Sequence, residues 1–222
     1  MSDTAIDGYR YGSAELNHSH DYLLPALADV VGRKAQPGSR LFDLGCGNGS
    51  VAKEMTQRGF AVTGIDASAE GIAAANARYP DIRLEQGSAY DALAAKFGTF
   101  PLVYSLEVVE HVYSPRDYAD TLADLIEPGG WAVLSTPYHG YWKNLAMAVT
   151  GKMDAHFTAL WDHGHIKFWS VPTLTQLLSE SGLRIEEVHR VGRIPALAKS
   201  MVVLARKVGE PTRQRHAMGI HE

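Results

Sequence analysis

Apolar positions in this chain come in short runs, separated by helix-like stretches and by glycine or proline breaks. Residues 41–44 form one such run behind Pro37-Gly38, and Gly45-Cys46-Gly47-Asn48-Gly49 follows it. The run reads as a buried strand and the glycines as the turn leaving it. Residues 50–58 carry Val51 and Met55 among good helix formers and stop at Gly59. A second strand is predicted over 61–65, closed by Asp66, and Ser68 then caps an alanine-rich helix to Arg78 that Pro80 stops. Residues 82–86 alternate and predict a third strand, and 102–106 a fourth. Ser114-Pro115 supplies an N-cap and a proline at the first helical position, opening a helix to Ile126. Pro128-Gly129-Gly130 breaks that helix, and 131–135 are the fifth strand. Ser170 caps a helix over 171–181 with Gly182 as its stop, and 183–191 and 201–207 read as two closing strands, a hairpin by their proximity.

Strands alternating with helices predict a parallel sheet covered on both faces. The rhythm stops between 137 and 168, a segment with no clear period. It follows the carboxyl end of a strand, where insertions face the ligand crevice of an open α/β sheet. The expected organisation is a helical N-terminal segment over the site (1–36), the main domain (37–207) with a lid insertion (137–168), and a flexible polar tail (208–222).

The composition, 45% hydrophobic and 21% charged over 222 residues, is that of a soluble globular domain. The net charge of −4 lacks the basic excess of proteins that bind nucleic-acid phosphates. Cys46 is the sole cysteine, which excludes an intramolecular disulfide and a cysteine-cage zinc site. The chain has no secretory-type start and no apolar run long enough to span a bilayer, so a cytoplasmic location is expected.

Asp43-Leu44-Gly45-Cys46-Gly47-Asn48-Gly49 is the sharpest chemical signal. Glycines at alternate positions let a backbone pass close under a ligand, and the following helix N-terminus favours an anionic group. The dinucleotide fingerprint requires glycine where this chain has Ser50, which disfavours a nicotinamide-dependent oxidoreductase. Asp66 follows Gly49 by 17 residues, at a strand end from which a carboxylate can accept from both ribose hydroxyls. Glu107, Glu110 and His111 stand at i, i+3 and i+4, on one face if the segment is helical. Two carboxylates and an imidazole there suit a divalent metal with open positions, or else form a cofactor-side wall without metal. His139, His156, His163 and His165 cluster in the insertion, whereas His189 reads as an exposed strand residue and His216 and His221 fall in the tail. Cys46 reads as a small packing residue, not a nucleophile.

With Asp66, the Asp-x-Gly-x-Gly-x-Gly spacing resembles the class I S-adenosylmethionine-dependent methyltransferases, over roughly residues 37–207. The further stretches Leu106-Glu107-Val108-Val109-Glu110-His111-Val112, Pro128-Gly129-Gly130, Ser135-Thr136, Leu145 to Val149 with Gly151, and His163 to Lys167 are similar to the ubiquinone-biosynthesis O-methyltransferases. The resemblance implies a doubly wound, seven-stranded, mostly parallel sheet of Rossmann-like type and methyl transfer from S-adenosylmethionine to an oxygen of a small molecule. It also implies that the glycine loop (Asp43, Gly45, Cys46, Gly47, Asn48, Gly49) holds the methionine half and Asp66 the ribose. Ala67, Leu106, Glu107 and His111 become further cofactor contacts, and Gly87, Ser88 and Ala89 lie by the adenine. Many members carry aspartate at the Ser88 position, so a backbone or water contact is expected to replace it. Those enzymes also carry an arginine before the first helix, where this chain reads Leu16-Asn17-His18-Ser19-His20; the reaction class therefore transfers further than the quinone substrate. Nucleic-acid amino-methyltransferases differ from Ser105-Leu106-Glu107 after the fourth strand. The family pattern also implies metal ligation by Glu107, Glu110 and His111.

For the proton of the acceptor hydroxyl, His163 is the first expected base and His165 the second, with His111 as competitor and Lys167 steadying an oxyanion. Tyr141-Trp142 with Leu145, Met147 and Val149, flanked by Lys143 and Lys152, fit either a peripheral membrane contact through 141–149 or a lid over a soluble acceptor. A cofactor-binding protein without methyl transfer stays open from the residues alone.

Overall fold

The computed structural model describes residues 20–161 and 164–212. Its seven strands are β1 (Arg40–Leu44), β2 (Ala61–Asp66), β3 (Arg83–Gln86), β4 (Phe100–Leu106), β5 (Ile126–Pro137), β6 (Leu183–Val191) and β7 (Ser200–Lys207). They form one sheet in the order β3-β2-β1-β4-β5-β7-β6, with β7 antiparallel to both neighbours and the other pairs parallel. β1 lies between β2 and β4, so Leu41, Phe42 and Leu44 are buried from both faces. The strand order reverses between β1 and β4, which opens the crevice at their carboxyl ends.

Helices α1 (His20–Lys34), α2 (Ser50–Gln57) and α3 (Ala69–Arg78) cover one face. Helices α4 (Leu93–Phe97), α5 (Pro115–Asp124) and α8 (Val171–Glu180) cover the other. α1 buries Leu23, Leu27, Val30 and Val31 against Val133, Val202 and Leu204 of β5 and β7. Of the three caps read from serines, two hold: Ser68 Oγ accepts from Gly71 N–H at 3.0 Å, and Ser170 and Thr173 form a reciprocal box.

Several boundaries differ from the sequence reading. β5 begins at Ile126 and runs through Pro128-Gly129-Gly130, which form an irregularity inside the strand and do not precede it. Gly129 takes φ 77°, and a Cβ on Gly130 would sit 2.9 Å from the Pro101 carbonyl oxygen, so the glycine pair permits a shift of register against β4. α5 accordingly stops at Asp124, short of Ile126. Ser114 occupies the N-cap position of α5 but makes no side-chain cap; its N–H donates to Tyr90 Oη at 3.2 Å. The insertion is not irregular throughout, for it holds α6 (Tyr141–Val149) and α7 (Met153–Phe157). The start of the polar tail is tied down, with Val208 N–H donating to Gly182 O and Thr212 N–H to Glu180 O, both at 2.9 Å. Residues 1–19, 162–163 and 213–222, including His163, His216 and His221, lie outside the described residues. No helix among the described residues is long and apolar enough to cross a membrane.

Candidate active site

The glycine loop leaves β1 with Gly45, Gly47 and Gly49 at φ 89°, 53° and 75°. A side chain at Gly45 would overlap Val108, and one at Gly49 would meet Leu84 at 2.7 Å, so both positions need glycine for space as well as for conformation. Gly45 and Cys46 N–H both donate to Ile65 O, which ties the loop to β2. Asp66 strengthens that tie: Oδ2 accepts from Gly47 N–H and Oδ1 from Ser68 N–H, each at 2.8 Å. The second-strand acid therefore fixes the loop and the start of α3 together.

Asp43 differs in kind. It is buried, and its Oδ2 has no hydrogen-bond partner among the described residues. Burial pushes its carboxyl up to about 8, against the Tyr104 hydroxyl beside it and helped by the charge of Asp66. Cys46 is also buried, and burial, then Asp43 and Asp66, hold its thiol well above the ordinary range, so it packs and does not react.

The loop after β3 is latched by two residues that the sequence reading passed over. Asp91 Oδ2 accepts from Ser88 N–H at 2.8 Å, placing a carboxylate at this loop although Ser88 is not acidic. Tyr90 Oη accepts from Tyr113 and Ser114 N–H at 2.9 and 3.2 Å, joining the loop to the one after β4. Gln86 Nε2 donates to Ala67 O at 3.2 Å, and Ala89 packs on the core below. Leu106 ends β4 and packs against the core under α1 to α3.

After β4 the structure corrects the expected metal face. Residues 107–111 do not make one helical face: Glu107 takes φ 54°, a left-handed conformation unusual for a side-chain residue. Its carboxyl turns toward β5 and β7, where Ser135 Oγ donates to Oε1 at 2.8 Å and Ser200 Oγ to Oε2 at 3.4 Å. Burial raises Glu107 to about 7, opposed by these hydroxyls and by the charge of Lys143. Tyr22, on the first turn of α1, faces Ser200 and Glu107. Glu110 is fully buried, and neither carboxyl oxygen has a hydrogen-bond partner among the described residues, His165 Nε2 standing 4.0 Å from Oε1. His165 replaces Glu107 beside it: Glu110, His111 and His165 each offer a ligand atom within 4.8 Å of the others. His111 Nδ1 lies 3.2 Å from Gly164 O, and the His111 and His165 rings are 4.8 Å apart.

The expected bases fare unequally. Burial, with His111, His139 and His156 nearby, lowers His165 to about 4, so it is neutral and weakly basic at pH 7. Lys167 places its ammonium over the exposed Tyr113 ring at 5.7 Å. His189 lies in β6, its Nε2 3.0 Å from Glu187 Oε2. Lys143, expected at a membrane flank, is instead buried, donating to Tyr138 O at 2.8 Å and Lys199 O at 3.3 Å.

The glycine cradle, the strand-end acids and the convergence of five loops at the carboxyl edge accord with the comparisons. Residues 16–188 match the methyltransferase domain family. The chain is 34% identical over 187 residues to a ubiquinone biosynthesis O-methyltransferase of Dinoroseobacter shibae, covering 78% of this chain and 73% of the relative. It is 29% identical over 195 residues to the protein of the same name from Burkholderia pseudomallei, covering 84% and 82%. In fold it is similar to magnesium protoporphyrin IX methyltransferase from Synechocystis PCC 6803 with bound SAH, at a TM-score of 0.66 and 18% identity, over 89% of this chain and 90% of that one. The chain belongs to the methyltransferase domain family and is a class I S-adenosylmethionine-dependent methyltransferase.

Proposed function

We propose that the chain methylates a hydroxyl oxygen of a small molecule, of phenol or quinol type in preference to a sugar or other natural-product alcohol. The observation that carries this reading is Glu107, a carboxyl at the carboxyl end of β4 that Ser135 and Ser200 aim and that burial holds above the ordinary carboxylate range. A carboxyl held above its ordinary range is a stronger base than a free one and can accept a hydroxyl proton, whereas burial leaves His165 weakly basic. The names of the curated relatives support transfer to oxygen.

S-adenosylmethionine supplies an activated methyl group, and the protein supplies alignment. In this reading the glycine loop passes under the methionine half, the orphaned Oδ2 of Asp43 answers its ammonium, and Asp66 meets the ribose. The buried carboxyl of Glu110 with His111 and His165 fits a divalent cation, whose charge when bound would favour the ionised acceptor oxygen. The exposed Tyr141, Trp142, Leu145 and Val149 of α6 support peripheral contact of 141–149 with a membrane surface, which suits an apolar acceptor.

The test is formation of S-adenosylhomocysteine from catechols, with the methyl located by NMR. Glu107→Gln is expected to lower turnover by roughly a hundredfold, the size of a lost general base, at saturating S-adenosylmethionine. A methyl found on nitrogen or carbon, or full turnover in Glu107→Gln, overturns the reading. Undiminished turnover after exhaustive chelation removes the cation from it.

A further inference from the structure

The loop after β3 is joined to the segment after β4, although the sheet order puts β2 and β1 between those strands. Three strand spacings, about 14 Å, separate β3 from β4 in such a sheet. The join is Tyr90, whose Oη accepts from Tyr113 N–H at 2.9 Å and from Ser114 N–H at 3.2 Å. It therefore passes across the carboxyl ends of β1 and β2, where the glycine loop and Asp66 stand. Ser114 holds the N-cap position of α5 without a side-chain cap, so the phenol oxygen supplies an acceptor that the serine does not.

The join closes a belt around the mouth of the crevice. Gly47 N–H donates to Asp66 Oδ2 at 2.8 Å, and Gly87 N–H donates to Asp66 O at 3.0 Å. Val108, after β4, fills the space that a side chain at Gly45 would need. Of the side chains that make the belt, Tyr90 is the exposed one, at 37%, whereas Asp66 and Val108 are half-buried. The loop that carries Tyr90 is braced within itself. Ser88 N–H donates to Asp91 Oδ2 at 2.8 Å, Asp91 N–H to Ser88 O at 3.1 Å, and Tyr90 N–H to Ser88 Oγ at 3.2 Å. Residues 88–91 are thus one unit, which the phenol oxygen docks or releases whole.

We propose that Tyr90 is the latch of the cofactor crevice and sets how fast S-adenosylmethionine enters and S-adenosylhomocysteine leaves. The proposal rests on the cofactor seat at the glycine loop and Asp66 given above. Tyr90 is a positioning residue in this assignment and touches no reacting atom. A latch closed in the empty and the filled protein slows entry and exit alike, so opening it changes the rates more than the affinity. A purely structural Tyr90 would only cap α5, and its loss would lower the melting temperature with both rates unmoved.

The experiment is rapid-mixing kinetics of tritiated S-adenosylhomocysteine on the wild type and Tyr90→Phe, with a chase of unlabelled ligand for the exit rate. Tyr90→Phe keeps the ring and removes only the accepting oxygen. Its entry and exit rate constants are both expected to rise by roughly fivefold or more, the scale of one lost neutral hydrogen bond, while Kd moves by less than either. Tyr90→Ala, which removes the ring as well, is expected to be at least as fast. Wild-type rates in both variants overturn the latch, and a lowered melting temperature of the empty protein beside them assigns Tyr90 to the cap of α5. A faster exit with unchanged entry and a proportionate loss of affinity also overturns it, and makes Tyr90 a direct ligand contact. Failure of the wild type to bind S-adenosylhomocysteine removes the seat and the latch together. Binding with rates indifferent to Tyr90 removes the latch alone.

Discussion

Asp43 and Asp66 close adjacent strands, yet the chain treats them oppositely. Asp66 accepts two backbone N–H groups, whereas Asp43 is buried with one oxygen unanswered among the described residues. The spacing of the two acids was legible because glycine loops punctuate the sequence. Their electrostatic difference was not, because it depends on Tyr104 and on burial between strands. The raised value for Asp43 carries a pH dependence with a definite sign. Below its ordinary 3.8 the carboxyl is neutral in both states, and between 3.8 and about 8 the unfolded chain ionises while the native protein holds its proton. The native state then binds more protons, so this contribution to stability is full at low pH and is lost as pH rises through the window, at up to about 1.4 kcal/mol per pH unit. Asp43→Asn removes the titration without changing shape. Without cofactor, its melting temperature is expected to exceed the wild type's at pH 8, with the difference shrinking toward pH 4. A difference independent of pH in scanning calorimetry would refute the buried-proton account. The same substitution is expected to weaken S-adenosylmethionine binding, so stability and affinity move in opposite directions.

α6 shows why the insertion resisted a periodicity reading. Such a reading assumes that apolar positions face inward, but α6 exposes Tyr141, Trp142, Leu145 and Val149 and buries Lys143. The helix is inverted because its inner face meets the polar carboxyl edge of the sheet instead of an apolar core. Glu107 defeated the i, i+3, i+4 argument in a related way, since one residue at φ 54° breaks the face that the spacing assumes. By contrast, α3 and α8 carry serine caps and inward apolar stripes, and their limits were readable to within a residue or two. The outward face of α6 gives a direct expectation. Wild-type protein should co-float with anionic liposomes, and a Trp142→Ser, Leu145→Ser double variant should not, because it removes exposed apolar area without touching the core. Wild-type protein left entirely in the lipid-free fraction would assign the patch to closure over a soluble acceptor.

The sheet order explains why so much of the site was visible before the structure. In an open sheet the loops at the carboxyl ends of β1 to β5 converge on the crevice where the order reverses, so residues far apart in sequence become neighbours through topology alone. Asp43, Asp66, Ser88 and Glu107 could therefore be placed from strand ends. Asp91, Tyr90, Ser200 and Lys143 could not, because each reaches the site by a side-chain direction that no strand pattern encodes. A cofactor held as proposed, at the ends of β1, β2, β3 and β4, would staple those strands together, so its binding should stabilise the whole domain and not one loop. A ligand at about a hundred times its dissociation constant adds about 2.7 kcal/mol to a protein that binds it only when folded. For a domain of this length that corresponds to a rise of about 5–10 °C in melting temperature. S-adenosylhomocysteine is expected to produce it, and NAD at equal concentration to produce none, since Ser50 stands where the dinucleotide loop requires its third glycine. A comparable rise with NAD, or none with S-adenosylhomocysteine at saturation, would show that the glycine cradle holds a different ligand from the one its geometry fits.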